Sequence, residues 1–222
     1  MHSILLLNAK GGCGKTTMAT HIAAYYALKG KRVVLADFDP QGSSMAWLAT
    51  RPPERPRIRG LAAWHNTVNV PKNTDYLIID SPAAVGGRPL AELVQRADSI
   101  LIPVLPSPLD MRAVEHFIGQ LNALRRVLNT PVRLATVANR VQENTVMADD
   151  LGDYLELITS PSGKKIPYLA LLQASQNYIR SADTGLSIFE FSPQGTQADR
   201  ECWARIFRWL ESQRSLSTSH DE

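Results

Sequence analysis

The residues of this chain that could do chemistry gather in three short segments. The first is Lys10-Gly11-Gly12-Cys13-Gly14-Lys15-Thr16-Thr17. Glycines there let backbone N–H groups turn inward around phosphate oxygens, and a helix beginning at Thr16 adds the positive end of its dipole. Lys15 can neutralise β- and γ-phosphates, and the Thr16 hydroxyl suits Mg²⁺. The second segment is Asp37-Phe38-Asp39, two carboxylates where an apolar run stops. Beside a phosphate loop such a pair suits Mg²⁺ coordination and water activation, with a pure turn role for one of the two as the alternative. The third is Asp80, which closes Tyr76-Leu77-Ile78-Ile79 in the form of a Walker B carboxylate holding Mg²⁺ directly or through water. An aspartate before Ser81-Pro82 is also ordinary turn chemistry. The loop upstream favours the metal role.

These groups act together only if the chain brings them to one place. Ile4 to Asn8 reads as a buried strand running into the glycine loop, and residues 16–28 as a helix stopped at Lys29-Gly30. Further strands are expected at 32–38, 76–80, 99–104 and 132–137, with helices at about 87–97 and 110–128. Past Asn139 the pattern loosens. It gives helices near 145–158 and 173–183, a short strand near 165–168 and a last helix near 196–213. Continuous apolar strands alternating with amphipathic helices imply an α/β fold, a mostly parallel central sheet with helices on both faces.

Composition narrows the class without choosing the function. The 222 residues carry a net charge of +3, which permits weak attraction to nucleic acid or anionic lipid and demands neither. Cys13 and Cys202 have neither metal-site spacing nor a disulfide framework. No apolar run reaches the length of a signal core or a membrane span, so a cytoplasmic protein is expected.

Taken together the motifs identify a family. Lys10-Gly-Gly-Cys-Gly-Lys-Thr-Thr17 resembles the deviant Walker A box of ParA/MinD ATPases, whose mark is a second lysine before the glycine pair. Asp37-Phe38-Asp39-Pro40-Gln41-Gly42 looks like their Asp-x-Asp-Pro-Gln switch, and residues 97–110 are similar to small ParA proteins. The likeness is clear from residue 3 to about 140, weaker to about 191, where Gln173, Tyr178 and Gly185 keep the rhythm, and slight beyond. It implies a P-loop NTPase of the deviant Walker A type, with 1–213 as one ATPase domain and 214–222 as a polar tail. ATP and Mg²⁺ are the implied cofactors. Lys10 is then the signature lysine, reaching across an ATP-bound homodimer to the partner's phosphates. Lys10, Lys15 and Asp39 become the catalytic set, with Asp39 orienting water. Gly11, Gly12, Cys13, Gly14, Lys15, Thr16 and Thr17 hold the nucleotide, and Asn139 meets adenine. Thr16, Asp39 and Asp80 organise the metal. The run Ser81-Pro82-Ala83-Ala84 departs from the two prolines that many relatives have after the Walker B aspartate.

For the output of such a switch, the polar tail cannot bury an apolar face in lipid. The stripe Trp203, Ile206, Phe207, Leu210 reads as packing on the sheet, so no membrane is expected. Arg200, Arg205 and Arg208 on the last helix are candidates for non-specific double-stranded DNA, and Arg51, Arg55, Arg57 and Arg59 form a second basic cluster in a Pro-rich loop. The expected function is a nucleoid-associated, ATP-dependent dimer that segregates plasmid or chromosomal DNA, stimulated by a ParB-like or adaptor protein. The alternative is positioning of a protein cargo such as carboxysomes or chemoreceptor clusters. A P-loop metabolic ligase or kinase ranks below both, since no acceptor motif is visible. Iron–sulfur relatives need cluster cysteines that this chain lacks.

Overall fold

Five-residue aliphatic runs with no polar alternation can be stable only when covered on both faces. The computed structural model describes residues 1–65, 68–142, 145–160 and 163–212. Its strands are β1 (His2–Leu6), β2 (Val33–Asp37), β3 (Ile58–Ala62), β4 (Tyr76–Asp80), β5 (Ser99–Val104), β6 (Arg133–Val141) and β7 (Tyr168–Gln173). They form one sheet in the order β3-β2-β4-β1-β5-β6-β7, every neighbouring pair parallel. Every residue of β1, β2, β4 and β5 is buried. The helices are α1 (Lys15–Leu28), α2 (Ser43–Thr50), α3 (Gly87–Gln95), α4 (Pro108–Val127), α5 (Val146–Leu157), α6 (Gln176–Thr184) and α7 (Pro193–Glu211), with a 3-10 turn at Ile188–Glu190.

Alternation along each strand sorts the core into two layers. Leu5, Ile79, Ile100 and Ile102 face Leu93, Phe117 and Leu151. Ile4, Leu6, Ile78 and Leu101 face Ile22 of α1 and Ile206 of α7. Trp203, Ile206, Phe207 and Leu210 are all buried there, so the apolar stripe of α7 packs inward. Aromatic rings fill this second layer. Tyr25 stacks on Phe207 and Tyr26 on Tyr76, with centroids 3.4 and 3.6 Å apart. His21 stacks on Trp203, its Nδ1 donates to the Thr17 carbonyl, and burial pushes its pKa down to about 4, which keeps it neutral.

The sequence pattern missed β3 and α2, both at the sheet's far edge. An edge strand needs only one covered side, and in β3 Ile58 alone is buried, so no apolar run announces it. Helix α2 lies close on β3. A Cβ on Gly60 would come within 2.9 Å of Leu48 and Met45 side chains, so the glycine permits the approach. At the other edge, β7 extends from Tyr168 to Gln173 and α6 begins only at Gln176, where a helix was expected from 173. The basic cluster also loses one of its four arginines. Arg51 ends α2 in a buried ion pair, 2.8 Å from Glu190, and donates to the Gly185 carbonyl as well. Arg59 lies in β3 rather than in a loop.

Burial opposes the Glu190 charge, but bonds from Arg51 and Ser187 hold its carboxyl below the usual range. Removing one partner strands the other charge. Arg51→Ala is expected to cost about 3–5 kcal/mol in urea unfolding, whereas Arg205→Ala, on the exposed face of α7, stays within about 0.5 kcal/mol.

Candidate nucleotide site

Register decides what meets at the sheet's C-terminal edge. In β1, β2 and β4 the last residues are level: Leu6 pairs with Asp80, and Asp80 pairs with Asp37. The glycine loop leaves β1 at the same edge. The sheet therefore delivers a phosphate loop and two carboxylates to one place, where loops bind ligands in parallel α/β sheets.

The loop is braced from several sides. Asn8 donates to the Pro103 carbonyl and accepts from the Lys10 N–H. Gly12 and Gly14 have φ of 72° and 94°, conformations that an L side chain rarely adopts. At Gly14, the residue before α1, a Cβ would also collide with the Asn139 amide. Lys15 opens α1 and donates to the Lys10 carbonyl at 3.1 Å and to the Cys13 sulfur at 4.0 Å. Burial pushes the Cys13 thiol up in spite of neighbouring Lys15, and the thiol donates to the same Lys10 carbonyl at 3.4 Å.

The two aspartates of the second segment divide their roles. Asp37 is fully buried and accepts from the backbone N–H groups of Asp39, Ser44 and Met45, so the turn and capping role falls to it. Asp39 is half-buried and lines the cleft, its Oδ1 accepting only the Gln41 N–H. Asp80 is 1% exposed and accepts from the Ser44 hydroxyl through Oδ2 at 2.7 Å. Its Oδ1 is buried with no hydrogen-bond partner. Burial pushes the Asp80 carboxyl up to about 6, against the Ser44 and Thr16 hydroxyls that favour its charge. A desolvated carboxylate oxygen without a partner, next to a hydroxyl, is a donor set that fits a hard cation such as Mg²⁺.

A cleft of about 630 Å³ opens at this edge; Asp37, Ser44 and Asp80 do not line it, whereas Gly11, Gly12, Gly14, Lys15, Thr16, Thr17, Asp39 and Asn139 all line it. Lys10 does not. Asn139, expected at adenine, donates through Nδ2 to the Cys13 carbonyl at 2.7 Å and so holds the loop itself. Arg140, with φ 55°, reaches the Gly12 carbonyl beside it. The altered second switch also joins the loop, for Ala84 has φ 53° and donates its N–H to the Ala9 carbonyl. Sequence reasoning missed Ser44, Arg140 and Asn8. Ser44 stands just past the Asp-x-Asp-Pro-Gln run, Arg140 after Asn139 and Asn8 just ahead of Lys10, but residue type alone did not mark their roles. The α7 arginines lie away from this cleft. Arg200 donates to the Ile188 and Phe191 carbonyls, while Arg205 and Arg208 are exposed.

Two outcomes follow from this geometry. Gly14→Ala is expected to abolish ATP binding in calorimetric titration. For Asp80 the folded state binds a proton more tightly than the unfolded one, so the metal-free protein gains stability from this group as pH falls through about 6. Metal binding requires the carboxylate and weakens over that window. Asp80→Asn should stabilise the metal-free protein by about 1–3 kcal/mol and remove the Mg²⁺-dependent part of ATP binding, read by thermal melts between about pH 5 and about pH 8.

Comparison with known proteins identifies the family. Residues 4–188 match the family described as CobQ/CobB/MinD/ParA nucleotide binding domain. The chain is 30% identical over 206 residues to the maintenance of carboxysome distribution protein A of Halothiobacillus neapolitanus, covering 90% of this chain and 92% of that one. With the chromosome-partitioning ATPase Soj of Thermus thermophilus it shares 27% identity over 164 residues, 59% of this chain and 66% of Soj. Among solved structures, apo McdA of Cyanothece superposes with a TM-score of 0.75 at 15% identity, covering 95% of this chain and 99% of that one. A plasmid partition protein of Borrelia burgdorferi bound to AMPPNP gives 0.71 at 15% identity, covering 93% and 98%. The chain belongs to the CobQ/CobB/MinD/ParA family of nucleotide-binding proteins, as an ATPase that works with ATP and Mg²⁺.

Proposed function

We infer that two copies of this chain close on ATP and Mg²⁺, that the closed dimer holds nucleoid DNA without sequence preference, and that hydrolysis releases it to position a cargo in the cytoplasm. The observation that carries this reading is Lys10. Its carbonyl anchors Lys15, yet its side chain does not line its own cleft. A single phosphate loop needs one lysine, and a second one beside it suits a second nucleotide.

Within each cleft the loop N–H groups and Lys15 hold the phosphates, which spreads the charge that develops during phosphoryl transfer. Thr16 and Asp80 would hold Mg²⁺, with Ser44 fixing the Asp80 carboxylate. When bound, the cation neutralises charge on the β- and γ-oxygens. Asp39 stands at the cleft to orient the attacking water. The dimer forms with ATP because Lys10 gains a partner only when the γ-phosphate of the facing nucleotide is present; a switch needs that difference between states. A ParB-like or adaptor protein would stimulate hydrolysis.

The relatives matched over more than nine-tenths of their own length are named for carboxysome distribution, which favours a protein body as cargo. Two Soj relatives are named for chromosome partitioning and support a DNA cargo as the second reading.

A gel-shift series on random duplex DNA with ATP, ADP or no nucleotide tests the switch. The expected result is a shift with ATP alone, lost in Lys10→Ala and kept or prolonged in Asp39→Ala. ATP-dependent dimers by light scattering with no shift at low salt would overturn the DNA part.

A further inference from the structure

At the other end of the sheet, where β6 and β7 begin, lies a second hollow of about 860 Å³. The end of α4 supplies Arg125 and Arg126, the start of β6 supplies Arg133, and the segment before β7 supplies Lys164 and Lys165. No residue lining the hollow is acidic. None of these five cations takes part in an ion pair among the described residues. Like charges gathered around one concavity repel each other and focus a positive field into it, which an entering anion relieves.

The floor of the hollow adds an independent sign. Asn122 is 6% exposed, and its Oδ1 accepts from the Arg125 guanidinium at 3.1 Å. That bond fixes the amide so that Nδ2 is the remaining donor. Nδ2 is buried without a partner, and so is Arg125 Nε. Buried donors without acceptors are costly unless a ligand supplies the acceptor. Burial also pushes the Arg125 guanidinium below its ordinary pKa with no carboxylate to offset it. Two N–H donors and a rim of cations match phosphate oxygens, which only accept.

The type of phosphate follows from charge and shape. Arg126, Lys164 and Lys165 are exposed on the rim, more positive charge than one small anion needs. Arg133 lies 4.0 Å from the Trp209 ring centroid and donates to the Trp209 carbonyl, so the indole face is already covered and is not a platform for a base.

We propose that this hollow is the surface that seats the phosphate backbone of duplex DNA, with Asn122 and Arg125 as the buried phosphate donors. The proposal rests on the DNA reading above and moves its site from the α7 arginines to the opposite edge of the sheet from ATP. Neither Arg205 nor Arg208 lines the hollow.

The test is fluorescence anisotropy of a random-sequence duplex with the full chain and ATP, across a salt series. The variants are Arg126→Gln/Lys164→Gln/Lys165→Gln, the isosteric Asn122→Asp, and Arg205→Gln/Arg208→Gln. The triple variant is expected to lose about tenfold or more in affinity and about two to three in salt slope. Its ATP-dependent dimerisation and DNA-free turnover should not change. Asn122→Asp, which places a carboxylate on the floor, should weaken DNA binding in the same way, and the α7 pair should lose far less. A triple variant that binds like wild type, with the α7 pair deficient, would overturn the hollow and leave DNA binding intact. Wild-type ATP dimers that ignore duplex DNA but bind anionic lipid vesicles or an acidic protein would overturn both.

Discussion

Everything at the nucleotide edge depends on one constraint, the level ending of three parallel strands. Because Leu6, Asp37 and Asp80 share a register, the carboxylates cannot be anywhere but beside the glycine loop. Parallel pairing in turn demands coverage on both faces, and the two aliphatic layers supply it. The same hydrophobic burial that stabilises the sheet creates the electrostatic tension at its rim. Asp80 ends a strand that is buried throughout, so its charge is desolvated before any ligand arrives. Fold stability and metal affinity are therefore set against each other in a single side chain.

Parallel strands also give the sheet two chemically different ends. One end presents backbone N–H groups, Lys15 and acidic side chains, a combination that suits a phosphate chain carrying its own cation. The other presents cations and unpaired donors with no acid among them, which suits a polyanion stripped of its counterions. Strands β1, β5 and β6 run between the two ends, buried along almost their whole length.

The nucleotide edge was legible in the sequence because its signals are local. Glycine spacing, a lysine at the helix start and aspartates after aliphatic runs each state their role within six residues. Strands β1, β2, β4, β5 and β6 were legible for the same reason, as uninterrupted apolar runs. What escaped had no local signature. Edge strand β3 buries one residue, and α2 is too short for a helical period to register. Ser44 looked like any serine after a turn, and only the fold brings it to Asp80, thirty-six positions away. The arginines show the limit most clearly. Arg51 and Arg59 share a basic stretch of sequence, yet one is buried against Glu190 and the other lies along an edge strand. Arg126 and Lys164, far apart in sequence, line the same hollow.

Helix α2 is only eight residues long, about 12 Å, yet both of its ends are fastened to buried charge. Asp37 holds its first N–H groups and Ser44 ties it to Asp80, while Arg51, just past its last turn, is locked to Glu190. A rod clamped at both ends cannot tilt at one end alone. Any shift that ligand binding imposes at Asp80 is carried as leverage to the Glu190 end, beside α6 and the aromatic layer. In such a strut the two clamps share one mechanical element, and their energies cannot be assigned to either end separately.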